Sequence, residues 1–210
     1  MVVAEIEPLK LVRQPKQPKV KEIPEALVYE IIDGRKLYYK GYKDVLSKKK
    51  KIEDIMGSST LQGYIIFYLL KICYRFLDEN KYIFLTNESG IHLEKSSNLS
   101  SDISIFEKSI LTPNQVNENY AEVAPRIVIE VDIKIHLSME EDFIYIDKKT
   151  KKLLDFGVEK VIWILSKSKS IVIATKDEDW IVRNWNKDTE LLDGQLFNIG
   201  EYLKKEGIEV

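Results

Sequence analysis

The stretch Arg126 to Lys134 (RIVIEVDIK) constrains the fold more than any other, because it reads as a buried strand whose second half has acid, acid and lysine at every other position. Successive side chains of a strand point to opposite faces, so in this register Glu130, Asp132 and Lys134 share one face and Ile127, Ile129, Val131 and Ile133 the other. The apolar face demands cover from another layer. The charged face gathers two carboxylates and an ammonium, a patch suited to a divalent cation and to neutralising negative charge, as phosphodiester hydrolysis requires. The same alternation also fits the wet end of a half-exposed strand whose charges pair with one another.

With 210 residues, 44% hydrophobic and 31% charged, the chain has the length and composition of a globular protein with one substantial core. A net charge of -2 argues against general coating of nucleic acid, although a balanced total conceals local patches. The single cysteine, Cys73, excludes an internal disulfide or a cysteine-based zinc site and makes a reducing, cytoplasmic setting the expectation. Neither a signal-peptide core nor a membrane-spanning run is expected; the longest apolar run, Tyr64 to Leu70, is too short.

Residues 1–25 mix Lys, Arg, Glu and Pro with little periodicity and predict an extended N-terminal arm, followed by one domain over 26–210. Tyr29 to Tyr39 predicts a hairpin turning at Asp33-Gly34. Lys48 to Lys51 reads as a solvated loop or helix edge, with a phosphate-contacting patch as its functional counterpart. Apolar residues from Leu61 to Phe76 recur at spacings of three and four, which predicts a helix capped by Ser58 or Ser59.

Tyr82 to Leu85 and Ile91 to Glu94 read as two strands around a turn, and Ser101 to Phe106 as a third. A second helix is predicted over Met139 to Phe156, closed by Gly157. Three strands (160–165, 170–175 and 180–185) and a short helix near 198–205 complete an α+β pattern. In these strands Trp163, Trp180 and Trp185 read as core or cross-strand aromatics rather than base-stacking groups.

Asp102 precedes Glu130 on a strand expected in the same sheet, so the two acids can face each other across neighbouring strands. Lys149 falls on the side of the second helix that meets the sheet, where a lysine either snorkels to an edge or points into a polar site.

Taken in order, YEIIDG at 29–34, the helix from Ser58, Asp102 on a short strand, RIVIEV at 126–131, and Lys149 ahead of Gly157-Val158 and VIWI at 161–164 resemble the Uma-type family of restriction-endonuclease-like proteins. That family looks like a branch of the PD-(D/E)XK nuclease superfamily, and the resemblance covers roughly residues 26 to 205. It implies metal-binding roles for Asp102 and Glu130. It also implies that Lys149 replaces the lysine most of the superfamily carries two residues after its glutamate, with Glu30 or a residue of the first helix adding a carboxylate or hydrogen bond. Two departures stand out: Asp132 occupies the superfamily's lysine position, although Asp132-Ile133-Lys134 is a second, shifted match, and Gln62 stands about where many relatives have histidine. Neither His92 nor His136 has a partner at metal-ligand spacing.

The expected fold is a restriction-endonuclease-like central mixed β-sheet flanked by α-helices. The expected activity is Mg²⁺- or Mn²⁺-dependent DNA endonuclease chemistry. Asp102, Glu130 and Asp132 are the candidate metal ligands, and Lys134 or Lys149 the charge-stabilising lysine. A catalytically inactive DNA-binding or protein-interaction module on the same fold is the alternative. A homodimer would suit cleavage of both strands of a duplex.

Overall fold

The computed structural model describes residues 23–94, 97–135 and 139–210, leaving the side chains of 139–141 aside. Most of the expected arm at 1–25, together with His136, lies outside the described residues. The chain begins with the expected hairpin, β1 (Val28–Ile32) and β2 (Arg35–Tyr38). Asp33 and Gly34 turn it with φ of 52° and 72°, values that the Asp-Gly pair tolerates. Two short helices follow, α1 (Tyr42–Leu46) and α2 (Glu53–Met56).

The long helix α3 (Thr60–Phe76) starts at Ser59, whose hydroxyl accepts the Gln62 N–H at 3.1 Å and satisfies an otherwise orphaned donor. Its buried stripe of Ile65, Leu69, Ile72 and Cys73 follows the helical period and packs on the sheet.

Next come β3 (Tyr82–Glu94) and β4 (Ser97–Glu107), paired antiparallel along nearly their full length. The two strands expected at 82–85 and 91–94 are thus one strand. Asn87 and Glu88 do leave the extended conformation, with φ of 67° and 55°, but β4 continues opposite them and converts the expected turn into a bulge. Then β5 (Ile127–Val131), α4 (Met139–Phe156) and β6 (Lys160–Leu165) form a parallel pair with a helical crossover. Gly157, at φ 118°, closes α4 as expected. The meander continues through β7 (Ser170–Thr175) and β8 (Ile181–Asn184).

A second hairpin, β9 (Thr189–Leu192) and β10 (Gln195–Phe197), precedes α5 (Ile199–Lys205), which is capped by the Asn198 side chain.

The main sheet is eight-stranded and mixed, ordered β2-β1-β4-β5-β6-β7-β8 with β3 on β4, and its helices flank it, as expected. Ile103, Ile105, Ile127, Ile129 and Val131 pack under α3 and α5; Val128, Val161 and Trp163 pack under α4. Trp163 and Trp185 are core residues, as is Cys73. No described helix is long and apolar enough to cross a membrane.

β4 is the strand that positions the site. One of its edges is taken by β3. The other is shared: β1 meets it at Asn98, and β5 meets it only at Ile103 to Ile105. Between these contacts, over residues 99–102, the shared edge has no strand partner, and buried backbone groups there need side chains to satisfy them.

Candidate active site

That seam is filled by charged side chains. The Ser100 N–H donates to Glu30 Oε1 at 3.1 Å, and the Ser100 carbonyl accepts from Lys149 Nζ at 2.8 Å. Across the seam the Val131 N–H, freed where β5 parts from β4, donates to Asp102 Oδ2 at 2.8 Å. Glu30, Lys149 and Asp102 are therefore each held by backbone as well as by a counter-ion.

Lys149, fully buried on α4, reaches Glu30 Oε1 at 2.8 Å and Glu130 Oε1 at 3.0 Å. The Tyr145 hydroxyl donates to the other Glu30 oxygen at 2.8 Å. Burial alone would drive the lysine toward its neutral form, yet Glu130 and Glu30 outweigh it and hold the ammonium charged well above its ordinary range.

Glu130 is only 3% exposed and less well served. The contact from Lys149 is close enough for an ion pair but lies outside hydrogen-bond geometry, which leaves Glu130 Oε1 buried without a donor. Desolvation, with Asp102 and Glu30 nearby, pushes its carboxyl up to about 8 despite the opposing pull of Lys149.

Asp102, 4% exposed, faces the other way along the seam. Lys134 Nζ lies 2.9 Å from its Oδ1 and 2.8 Å from Glu88, which the β3 bulge turns toward it. Burial lowers the affinity of Lys134 for its proton, but Asp102 and Glu88 more than offset this. Gln62, in the first turn of α3, donates from Nε2 toward both Asp102 oxygens at 3.3 Å and to the Val131 carbonyl at 2.9 Å.

Asp102, Glu130, Lys134 and Lys149 thus gather around one seam, and Asp132 does not join them. The strand expected to run to Lys134 stops at Val131, and Asp132 turns to a φ of 62°. Its carboxylate accepts the Ser166 N–H at 2.7 Å and the Ser166 hydroxyl at 2.8 Å, fixing the turn beyond β6. Among the described residues no three acids, histidines or cysteines come close enough to hold a metal together.

The residues nevertheless fit a divalent cation in another way. Glu30, Glu88, Asp102 and Glu130 outnumber the ammonium groups of Lys134 and Lys149, and one oxygen of Glu130 lacks a donor. The oxygens of the seam, those of Asp102 and Glu130 and the Val131 carbonyl that accepts from Gln62, are hard ligands of the kind Mg²⁺ and Mn²⁺ take. Glu30 adds a carboxylate to the seam, as the resemblance implies it or a residue of the first helix would, and Gln62, at the position where many relatives have histidine, adds an amide. Tyr145 and Glu88 are not among the residues the sequence singles out; the buried phase of Tyr145 on α4, four residues before Lys149, is the signal for the former.

No protein-family model matches the chain, and no curated protein matches it. Among solved structures, the fold is shared with a protein of Anabaena variabilis described as a "putative nuclease belonging to DUF820". The two are 14% identical and superpose with a TM-score of 0.60 over 83% of this chain and 89% of that one, a likeness of fold.

Proposed function

We propose that this protein is a metal-dependent DNA endonuclease in which Asp102 and Glu130 hold Mg²⁺ or Mn²⁺. The observation that carries this reading is the orphaned, proton-seeking Glu130 carboxylate beside Asp102 in a seam short of positive charge. The fold shared with the Anabaena variabilis protein supports it. A divalent cation bound there supplies a more acidic water and neutralises charge building on the phosphoryl oxygens.

The chain's own groups divide the remaining work. Lys149, held cationic chiefly by its buried acidic neighbours, has no basic lone pair to offer and acts as a fixed positive charge behind Glu130. Lys134 is tethered to Asp102 and Glu88 but is partly open to the groove outside, so its ammonium meets the phosphate as it arrives. Gln62 holds the Asp102 carboxylate in place through its amide nitrogen. Tyr145 and the Ser100 N–H pin Glu30, which keeps Lys149 from swinging away.

Cleavage of circular single-stranded DNA and of plasmid tests the reading. Cleavage is expected with Mg²⁺, none is expected in EDTA, and Asp102→Ala or Glu130→Ala should lose it by at least about two orders of magnitude, the scale on which removal of a charge-stabilising group acts. Undiminished cleavage by a folded variant overturns the assignment. The shortage of acids caused by Asp132 turning to Ser166 favours one rival, a catalytically inactive DNA-binding module. DNA binding without cleavage under any divalent metal would establish it.

A further inference from the structure

We propose that the segment from Tyr38 to Met56 is a track for an unpaired nucleic-acid strand, delivering its phosphates into the groove above Gln62 and Lys134. The inference rests on the nuclease reading and names the form of substrate that site receives. A groove of about 580 Å³ opens over these two residues, and α1 and α2 supply one of its walls. At its floor lie the side chains that hydrogen-bond Asp102.

The wall is locally basic in a chain of net charge -2: residues 40–56 carry six lysines against three acids. Lys40, Lys43 and Lys48 to Lys51 are all exposed. The lysine run is a built turn, not a loose loop. Lys48 takes a φ of 61°, and the N–H groups of Lys49 and Lys50 both donate to the Asp44 carbonyl, at 2.8 and 3.2 Å. All three acids serve that turn: Asp54 accepts the Lys51 N–H at 2.8 Å, Asp44 stands 3.9 Å from Lys50, and Glu53 stands 3.5 Å from Lys51. The ammonium groups therefore project from a fixed frame, which suits a row of phosphates.

Two observations favour an unpaired strand over a duplex. Asp102 lies almost wholly covered beneath Gln62 and Lys134 at the groove floor, so a phosphate must descend into the groove to reach it. Duplex DNA is stiff over lengths far beyond such a groove, whereas a single strand bends into it. In addition, Tyr38, Tyr39 and Tyr42 interleave with the lysines, Tyr38 and Tyr42 are stacked with ring centres 4.9 Å apart, and Tyr39 lines the groove. Aromatic faces among basic groups bind unpaired bases without regard to sequence.

Fluorescence anisotropy on the full chain in EDTA tests this, with a labelled DNA strand, the same strand annealed as a blunt duplex, and an RNA strand of the same sequence. The proposal expects one of the single strands to bind at least about tenfold tighter than the duplex. The better of the two identifies the sugar preferred. Replacing all four lysines (K48Q/K49Q/K50Q/K51Q) should weaken that binding by at least about tenfold and flatten the slope of log K against log salt by roughly 2 to 3. Equal or tighter duplex binding, or an unchanged quadruple variant, overturns the track. Because binding in EDTA needs no catalysis, that outcome is separate from a loss of the nuclease reading, which cleavage of circular single-stranded DNA and of plasmid reports alone.

Discussion

Lys149→Met should lower the stability of the protein by about 3–5 kcal/mol, the scale on which a buried ion pair responds to loss of one partner. The side chain is fully buried and touches Glu30, Glu130 and the Ser100 carbonyl at 2.8 to 3.0 Å. Without it, Glu30 keeps the Ser100 N–H and the Tyr145 hydroxyl, but Glu130 keeps no counter-charge within contact. The loss should thus be greatest at alkaline pH, where Glu130 is ionised, and smaller in acid, where it carries a proton in either protein. A second change, Glu130→Leu, should restore much of the stability of Lys149→Met. Urea unfolding of the two single variants and the double variant measures the coupling. Additive losses with no recovery in the double variant would mean that the pair is not the seam's central contact.

Glu130→Gln should act in the opposite direction on stability while abolishing cleavage. Burial and neighbouring acids raise this carboxyl from an ordinary 4.5 to about 8. Below 4.5 it is protonated in both the folded and the unfolded chain and stability does not depend on it. Between 4.5 and about 8 the folded protein retains a proton that the unfolded chain has lost, so stability falls as pH rises. Above about 8 the full penalty applies, on the order of 5 kcal/mol at about 1.4 kcal/mol per pKa unit. A neutral amide escapes it. In metal-free buffer the variant should melt higher than the parent at pH 9 and no higher at pH 4. Parallel melting curves across that range would show that Glu130 ionises without strain. Under the proposed function the parent gives up stability at a group its chemistry needs charged, as functional sites commonly do.

The parts of this site that were legible in the sequence are those set by a local period. Glu130 follows from strand alternation within β5, and Lys149 from its angle on α4. Alternation misleads at Asp132, because the group that decides its direction, Ser166, lies far along the chain and captures its carboxylate once the backbone has turned. The same limit explains β3: Thr86 to Gly90 has turn chemistry, and only the pairing with β4 turns it into a bulge. The β9–β10 hairpin is different, since Asp193-Gly194, with φ of 51° and 76°, carries the same local turn signal as Asp33-Gly34 in the first hairpin. The seam itself has no local signature. It exists because β1 and β5 share one edge of β4 without meeting along it, and Gln62, Glu30 and Tyr145 acquire their roles from that gap.

The most direct test of the account is a calorimetric titration of the protein with Mn²⁺ at pH 7, repeated in buffers of different ionisation enthalpy. If Asp102 and Glu130 hold the cation, binding should be accompanied by release of close to one proton, since Glu130 with its carboxyl raised to about 8 must lose its proton to ligate. Asp102→Asn should weaken binding severely, and Glu130→Gln should weaken it while eliminating the proton release. Binding of undiminished affinity in both variants, or no binding by the parent, would contradict the account.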